Sequence, residues 1–165
     1  MNKPARMPMT KYDVTDEAVV SASAEKVFNA LVEVFDGRVN WWLPHLSSKL
    51  RGGVSMSEVG ALFDVTVHTL IPLRFTGKTV EIQRPDKLRV QYLGGAFQGE
   101  ALWTFEAVEG GTRLRLRWQT NPSSLLLKLA SICVPIGKGH SQVMQKGFAR
   151  LNEYLGAATG AASAG

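Results

Sequence analysis

At 165 residues the chain has the length of one ordinary domain, and a 45% hydrophobic composition with four Trp and seven Phe can build a core without metal or disulfide staples. The lone cysteine, Cys133, excludes an internal disulfide, and no apolar run with a small-residue cleavage site follows Met1, so a cytoplasmic setting is expected. Nineteen Lys and Arg against fourteen Asp and Glu leave a net charge of +5, but the excess is spread along the chain without a compact basic run interleaved with aromatics, so no nucleic-acid partner is expected.

A Pro-containing leader makes residues 1–11 a flexible arm. Across 12–22, Tyr12, Val14, Ala18 and Val20 fall at even spacing, the period of a strand. Ser23 then offers a helix N-cap, Glu25 places negative charge in the first turn, and Val27, Phe28, Leu31, Val32 and Phe35 recur at helical spacing up to Asp36-Gly37. The stretch 39–46, with Trp41, Trp42 and Pro44, has room for a turn or two of helix that closes one end of the core.

From 49 to 120 the pattern becomes one of short strands: 61–70, 74–83, 88–93, 97–107 and 112–120, with a further short strand near Leu50. Gly- and Pro-containing turns divide them, and connections this short permit only an antiparallel sheet. Ala101, Trp103 and Phe105 are opposed to Glu100, Thr104 and Glu106, as are Leu114, Leu116 and Trp118 to Arg113, Arg115 and Arg117, so one face of the sheet is apolar and the other wet. The arginines are read as cross-strand ion pairs with Glu100, Glu106 and Glu81.

Asn121 and Pro122 present an N-cap and a first helical residue, which predicts a final helix from there to about Leu155, kinked or divided at Pro135. Beyond the break, Gly137, His140, Met144, Gly147, Phe148, Leu151 and Leu155 form one stripe. The first half, 123–136, is almost too apolar for one packed face and reads as a lid, a homodimer contact or a lipid-facing edge; interrupted by Lys128 and Ser131, it is shorter than the roughly 20 residues a bilayer requires, so no transmembrane span is expected. Residues 156–165 contain only Ala, Gly, Ser and Thr and read as a disordered tail, which leaves 12–155 as a single domain.

A strand, one or two short helices, a run of antiparallel strands and a long C-terminal helix define an α+β order. With it, Val20-Ser-Ala-Ser-Ala-Glu-Lys-Val-Phe28, Trp41-Trp42-Leu-Pro44, Val80-Glu-Ile-Gln-Arg-Pro-Asp-Lys-Leu88, Gly111-Thr-Arg-Leu114 and Gly147-Phe-Ala-Arg-Leu-Asn-Glu-Tyr-Leu155 make the chain resemble the START-like, or SRPBCC, superfamily, in its polyketide cyclase/dehydrase-like branch. The resemblance implies a helix-grip fold: a curved antiparallel sheet of about seven strands around the C-terminal helix, with a ligand cavity between them. It implies no particular reaction, because one scaffold carries many functions.

The residues themselves narrow the chemistry. His45, His68 and His140 show no metal-ligand spacing, and no cofactor fingerprint occurs, so neither metal nor cofactor is expected. Cys133 and His140 are about 10 Å apart along a helix, too far for a nucleophile pair, and Cys133 reads as a small buried residue. What remains is an aromatic lining of Phe63, Val65, Val67, Tyr92, Ala101, Trp103 and Trp118 facing Met144 and Phe148, with Trp42 at the entrance. Gly137, Gly147 and Ala101 leave space on the inward faces. His140 is the ionisable group on the helix stripe, and Arg74 points inward if its strand keeps the phase of Val80 and Ile82, or outward if Gly77 forms a bulge.

The expectation is therefore binding or carriage of a hydrophobic small molecule. A polyketide cyclase or aromatase using the same cavity requires a cluster of polar groups inside it, and a co-chaperone-like module requires a filled interior with an exposed apolar patch.

Overall fold

The structure, a computed structural model, describes residues 10–163, with side chains through residue 157. Most of the leader, residues 1–9, lies outside the described residues. The order is β1 (Tyr12–Val20), α1 (Ala24–Phe35), β2 (Leu46–Arg51), β3 (Leu62–Val67), β4 (Leu73–Gln83), β5 (Lys87–Gly95), β6 (Phe97–Val108), β7 (Gly111–Pro122), α2 (Leu125–Cys133) and α3 (Ile136–Ser163). The strands form one antiparallel sheet in the order β1-β7-β6-β5-β4-β3-β2, so six strands form a meander and β1 closes onto β7. This is the expected α+β helix-grip fold, with α1 and α3 against the inner face.

Alternation places the core where the sequence puts it. Ala101, Trp103, Phe105, Leu114, Leu116 and Trp118 are all buried on the inner face. The outer face carries the ion pairs Arg113–Glu106 (3.0 Å), Arg115–Glu17 (2.8 Å) and Arg117–Asp13 (2.7 Å), the last two drawing their partners from β1. Arg89 bridges Glu81 and Glu100, completing the solvated lattice.

α1 starts as expected, with Ser23 Oγ accepting from the Lys26 N–H, and ends where Gly37 takes φ +74° and Arg38 N–H reaches back to the Glu33 carbonyl. The buried Asp36 carboxylate accepts from Met56 N–H and Ser55 Oγ, which ties the 52–61 loop to the end of this helix. The short segment after α1 forms turns rather than a second helix and leads into β2.

Two boundaries differ from expectation. Asn121 and Pro122 do not begin a helix: they pair with Gln98 and Phe97 as the end of β7, and the cap passes to Ser124, whose Oγ accepts from Leu127 N–H at 3.1 Å. A ladder partner for both residues outweighs the local capping signal, and Pro122 at a strand end removes no essential donor. At Pro135 the helix is divided, because the residue before a proline is driven to extended geometry, and Val134 sits at φ −110°, ψ 126°. The backbone of α3 continues helically to Ser163 through the Ala-rich stretch that composition reads as a tail; extending an existing helix through alanine costs little. Among the described residues no helix is long and apolar enough to cross a membrane.

Candidate functional site

Between the inner face of the sheet and α3 lies a cavity of about 390 Å³. β3 supplies Phe63 and Val67, β5 Val90 and Tyr92, β6 Ala101 and Trp103, β7 Leu116 and Trp118, and α3 His140 and Met144. The cavity reaches the surface between the β3–β4 turn, at His68 and Thr69, and the α2–α3 junction, at Val134, Pro135 and Gly139.

Eight of the twelve expected residues line this cavity: Phe63, Val67, Tyr92, Ala101, Trp103, Trp118, His140 and Met144. Four do not. Trp42 is fully buried and lies against α3 at Gly147, with its indole N–H donating to the Val143 carbonyl at 3.3 Å, so it seals the core instead of lining the entrance. Val65 is buried between Phe63 and Val67 without reaching the wall. Phe148 packs edge-on against Trp103, at 6.5 Å and 81°, and Trp103 is the member of that pair on the wall.

Arg74 is exposed. Val80 has no partner on β5 between the pairs of Thr79 and Glu81, so the phase of Ile82 is not carried back to Arg74, and its neighbours Leu73 and Phe75 line the cavity instead. The glycines on the inward faces do not open the space expected of them. Trp42 occupies the space at Gly147, and Val14 and Tyr12 flank Gly137; of these three small residues, Ala101 is the one that lines the void. Cys133 is exposed rather than buried, because α2 has no buried face.

His140 stacks on Trp118 with ring centroids 4.1 Å apart and planes 10° apart, and its Nδ1 lies 3.2 Å from Asp16 Oδ2. Asp16 occupies an inward position of β1 between Val14 and Ala18 and is only 6% exposed. Burial works to raise its pKa, but hydrogen bonds from His140 and Ser141 and attraction to His140 outweigh that, and the carboxyl is held below its ordinary value. An ionised carboxylate can only accept, so His140 donates its Nδ1–H to Asp16, which leaves Nε2 as the ring nitrogen available to a ligand. Burial pushes the Tyr92 phenol well above the usual tyrosine range, with a hydrogen bond involving the Trp118 indole acting in the opposite direction. Tyr92, Trp118 and His140, the last held by Asp16, thus form one polar strip, and His45, His68, Thr69, Gln142 and Lys146 are further polar residues of the wall.

Burial and then repulsion by Lys146 and Arg150 lower the pKa of His45, which also lines the cavity. His68 Nε2 lies 2.8 Å from Ser47 Oγ at the rim. Among the described residues no group of His, Cys, Asp and Glu could hold a metal ion.

Asp16 is the principal residue that sequence reasoning missed. Its signal was present, since a charged side chain in phase with Val14, Ala18 and Val20 must face the core and requires a partner there. Met56, also on the wall, comes from the 52–61 loop and carries no periodic signal.

The sequence matches, over residues 11–156, the model of the family described as polyketide cyclase / dehydrase and lipid transport. Among solved structures, Ms6760 from Mycobacterium smegmatis is similar at a TM-score of 0.64 and 13% identity, covering 88% of this chain and 92% of that one. TTHA0849 from Thermus thermophilus gives a TM-score of 0.64 at 17% identity, with 85% and 97% covered. Ara h 8.0201 gives 0.62 at 16% identity, with 87% and 96% covered. At these identities the likeness is one of fold. Among curated proteins none matches the sequence significantly.

Proposed function

The chain belongs to the polyketide cyclase / dehydrase and lipid transport family, and we propose that it binds and carries an apolar small molecule bearing one hydrogen-bonding group, held in the cavity with that group at His140. The observation that carries this reading is the void itself. Protein interiors pack to the density of organic crystals and leave few holes larger than a water. A cavity of about 390 Å³ walled by Phe63, Phe75, Trp103 and Trp118 falls within the size of small-molecule sites. Burial of apolar ligand surface supplies affinity at about 25 cal/mol per Å². The His140 Nε2 and the Tyr92 hydroxyl supply orientation.

A second reading, a cyclase or dehydrase, is favoured by the same strip. Asp16 orients His140 as an aspartate orients an imidazole base, so Nε2 could accept a proton from an acidic C–H of a bound polycarbonyl chain and return it to a departing oxygen. The interaction-module reading requires a filled interior, and the cavity counts against it.

Native mass spectrometry of protein purified without denaturation tests the first reading. A retained compound, identified after extraction and lost on mild unfolding, is the expected result. Purified protein that carries nothing and takes up no apolar compound from a panel of fatty acids, sterols and polycyclic aromatics contradicts it. Conversion of a bound polycarbonyl compound by wild type and not by His140→Ala would move the assignment to the second reading.

A further inference from the structure

α2 is folded with its apolar side outward. Leu125, Leu126 and Ile132 are 74%, 79% and 76% exposed, Leu129 and Val134 are also exposed, and no residue of the helix is buried. The half-buried side carries Leu127, Ala130 and Ser131. Hydrogen bonds hold the helix in this orientation: Lys11 Nζ donates to Ser131 Oγ, and just before α2 the Ser123 N–H and hydroxyl donate to the carbonyls of Ala96 and Gly95. A surface helix ordinarily turns its apolar side to the core, whereas α2 packs only Leu127 partly against it and leaves its other large apolar side chains in water. Across the cavity mouth the β3–β4 turn adds Leu70 and Ile71, 101% and 77% exposed. Both patches rim one opening, because the cavity wall includes His68 and Thr69 from the turn and Val134 and Pro135 from the helix junction.

Charge identifies the occupant. No Asp or Glu occurs between Glu109 and Glu153, or between Asp64 and Glu81, so both apolar segments lie in acid-free stretches. Those stretches carry exposed Lys128 on α2, Lys138 on the first turn of α3, Lys146 at the mouth and Arg74 beside the turn. Among the described residues, no carboxylate forms an ion pair with any of them. β1, which packs against α3, carries Asp13, Asp16 and Glu17, and these are engaged by Arg117, His140 and Arg115. A second copy of the chain would set cations against cations around the shared apolar patch. An anionic lipid surface satisfies both features at once.

We propose that α2 and the β3–β4 turn form a docking face for an anionic membrane, with Leu125, Leu126, Ile132, Leu70 and Ile71 entering the headgroup layer and Lys128 and Lys138 meeting lipid phosphates. Docking in this orientation sets the cavity mouth against the bilayer, so an apolar ligand passes between lipid and cavity without crossing water. That consequence rests on the carriage reading; the docking does not.

Co-sedimentation of the full chain with mixed phosphatidylcholine–phosphatidylglycerol vesicles, against phosphatidylcholine alone, tests it. Wild type is expected to partition onto the anionic vesicles and to leave them as salt rises. Leu126→Ser with Ile132→Ser is expected to lower partitioning about tenfold or more, with the melting curve and the uptake of N-phenyl-1-naphthylamine by the cavity unchanged. Lys128→Glu with Lys138→Glu, which leaves the apolar patch intact, is expected to abolish the preference for anionic vesicles. Wild type that stays in the supernatant, or a Leu126→Ser/Ile132→Ser variant that sediments like wild type, overturns the proposal. So does a dimer, seen by light scattering, that binds no vesicles and is dissolved by the same two serines; the occupant would then be a second copy.

Discussion

Gly147→Ala is expected to destabilise the protein by about 2 kcal/mol although alanine is the better helix former. Gly147 lies inside α3, where exchanging glycine for alanine ordinarily gains about 1 kcal/mol. Here the added methyl would overlap three atoms of the Trp42 indole, including Nε1. Restoring ordinary contact at about 3.5 Å requires the ring to retreat by roughly an ångström. It has nowhere to go, being stacked on Trp41 at 5.1 Å and met edge-on by Phe35 at 6.0 Å and Trp103 at 6.4 Å. Its hydrogen bond to the Val143 carbonyl would also be lost. Overpacking and an unsatisfied buried group together cost about 3 kcal/mol, and subtracting the helix gain leaves about 2. For a chain of this length that lowers Tm by about 4–8 °C. Gly139→Ala is the internal control: it lies in the same helix, with nothing within 4 Å of the added methyl, and is expected to stabilise by about 0.4–1 kcal/mol. Urea titrations of both variants followed by circular dichroism give the two signs. A Gly147→Ala protein as stable as wild type would refute the reasoning that Trp42, rather than ligand space, fills this position.

Two further outcomes follow from the site and from α2. Folding lowers the pKa of Asp16, so its ionised form contributes stability above about pH 4, and that contribution is lost as pH falls through the folded value. The stability difference between wild type and Asp16→Asn should therefore be largest near neutrality and close below about pH 4 in urea titrations across pH; a difference independent of pH would remove the Asp16–His140 pair as its cause. Because α2 buries no residue, its amides should exchange with deuterium well before those around Met144–Leu151 in α3, read by mass spectrometry of peptic peptides; equal protection would mean that something covers the helix.

The sheet was legible because each strand has one wet face. Arg113, Arg115 and Arg117 alternate with Leu114, Leu116 and Trp118, and a period of two assigns every side chain once one is assigned. The same rule should have found Asp16, an acid at an inward position; hydrophobic patterning passes over such a residue because it seeks apolar matches. Arg74 was misplaced by one phase because the extra residue in β4 is Val80, between Thr79 and Glu81, where no glycine or proline marks a bulge. Trp42 and Gly147 are 105 positions apart, and nothing local to either tells that an indole fills the gap left by a missing methyl. Ser124 took the cap from Asn121 because β6 offered strand partners to Asn121 and Pro122, a tertiary choice that local chemistry does not encode. The odd composition of 123–136 was legible; its outward orientation required the fold.

The central claim is that an apolar ligand occupies the chamber between the sheet and α3. Ala101 lines that chamber, so Ala101→Phe places a ring inside it without touching α2 or the β3–β4 turn. Titration of the apolar fluorophore N-phenyl-1-naphthylamine into both proteins, with melting curves to show that each is folded, measures whether the chamber is the site. Saturable binding to wild type that weakens about tenfold or more in Ala101→Phe is the predicted result. Equal binding by both proteins, or none by wild type, would contradict it.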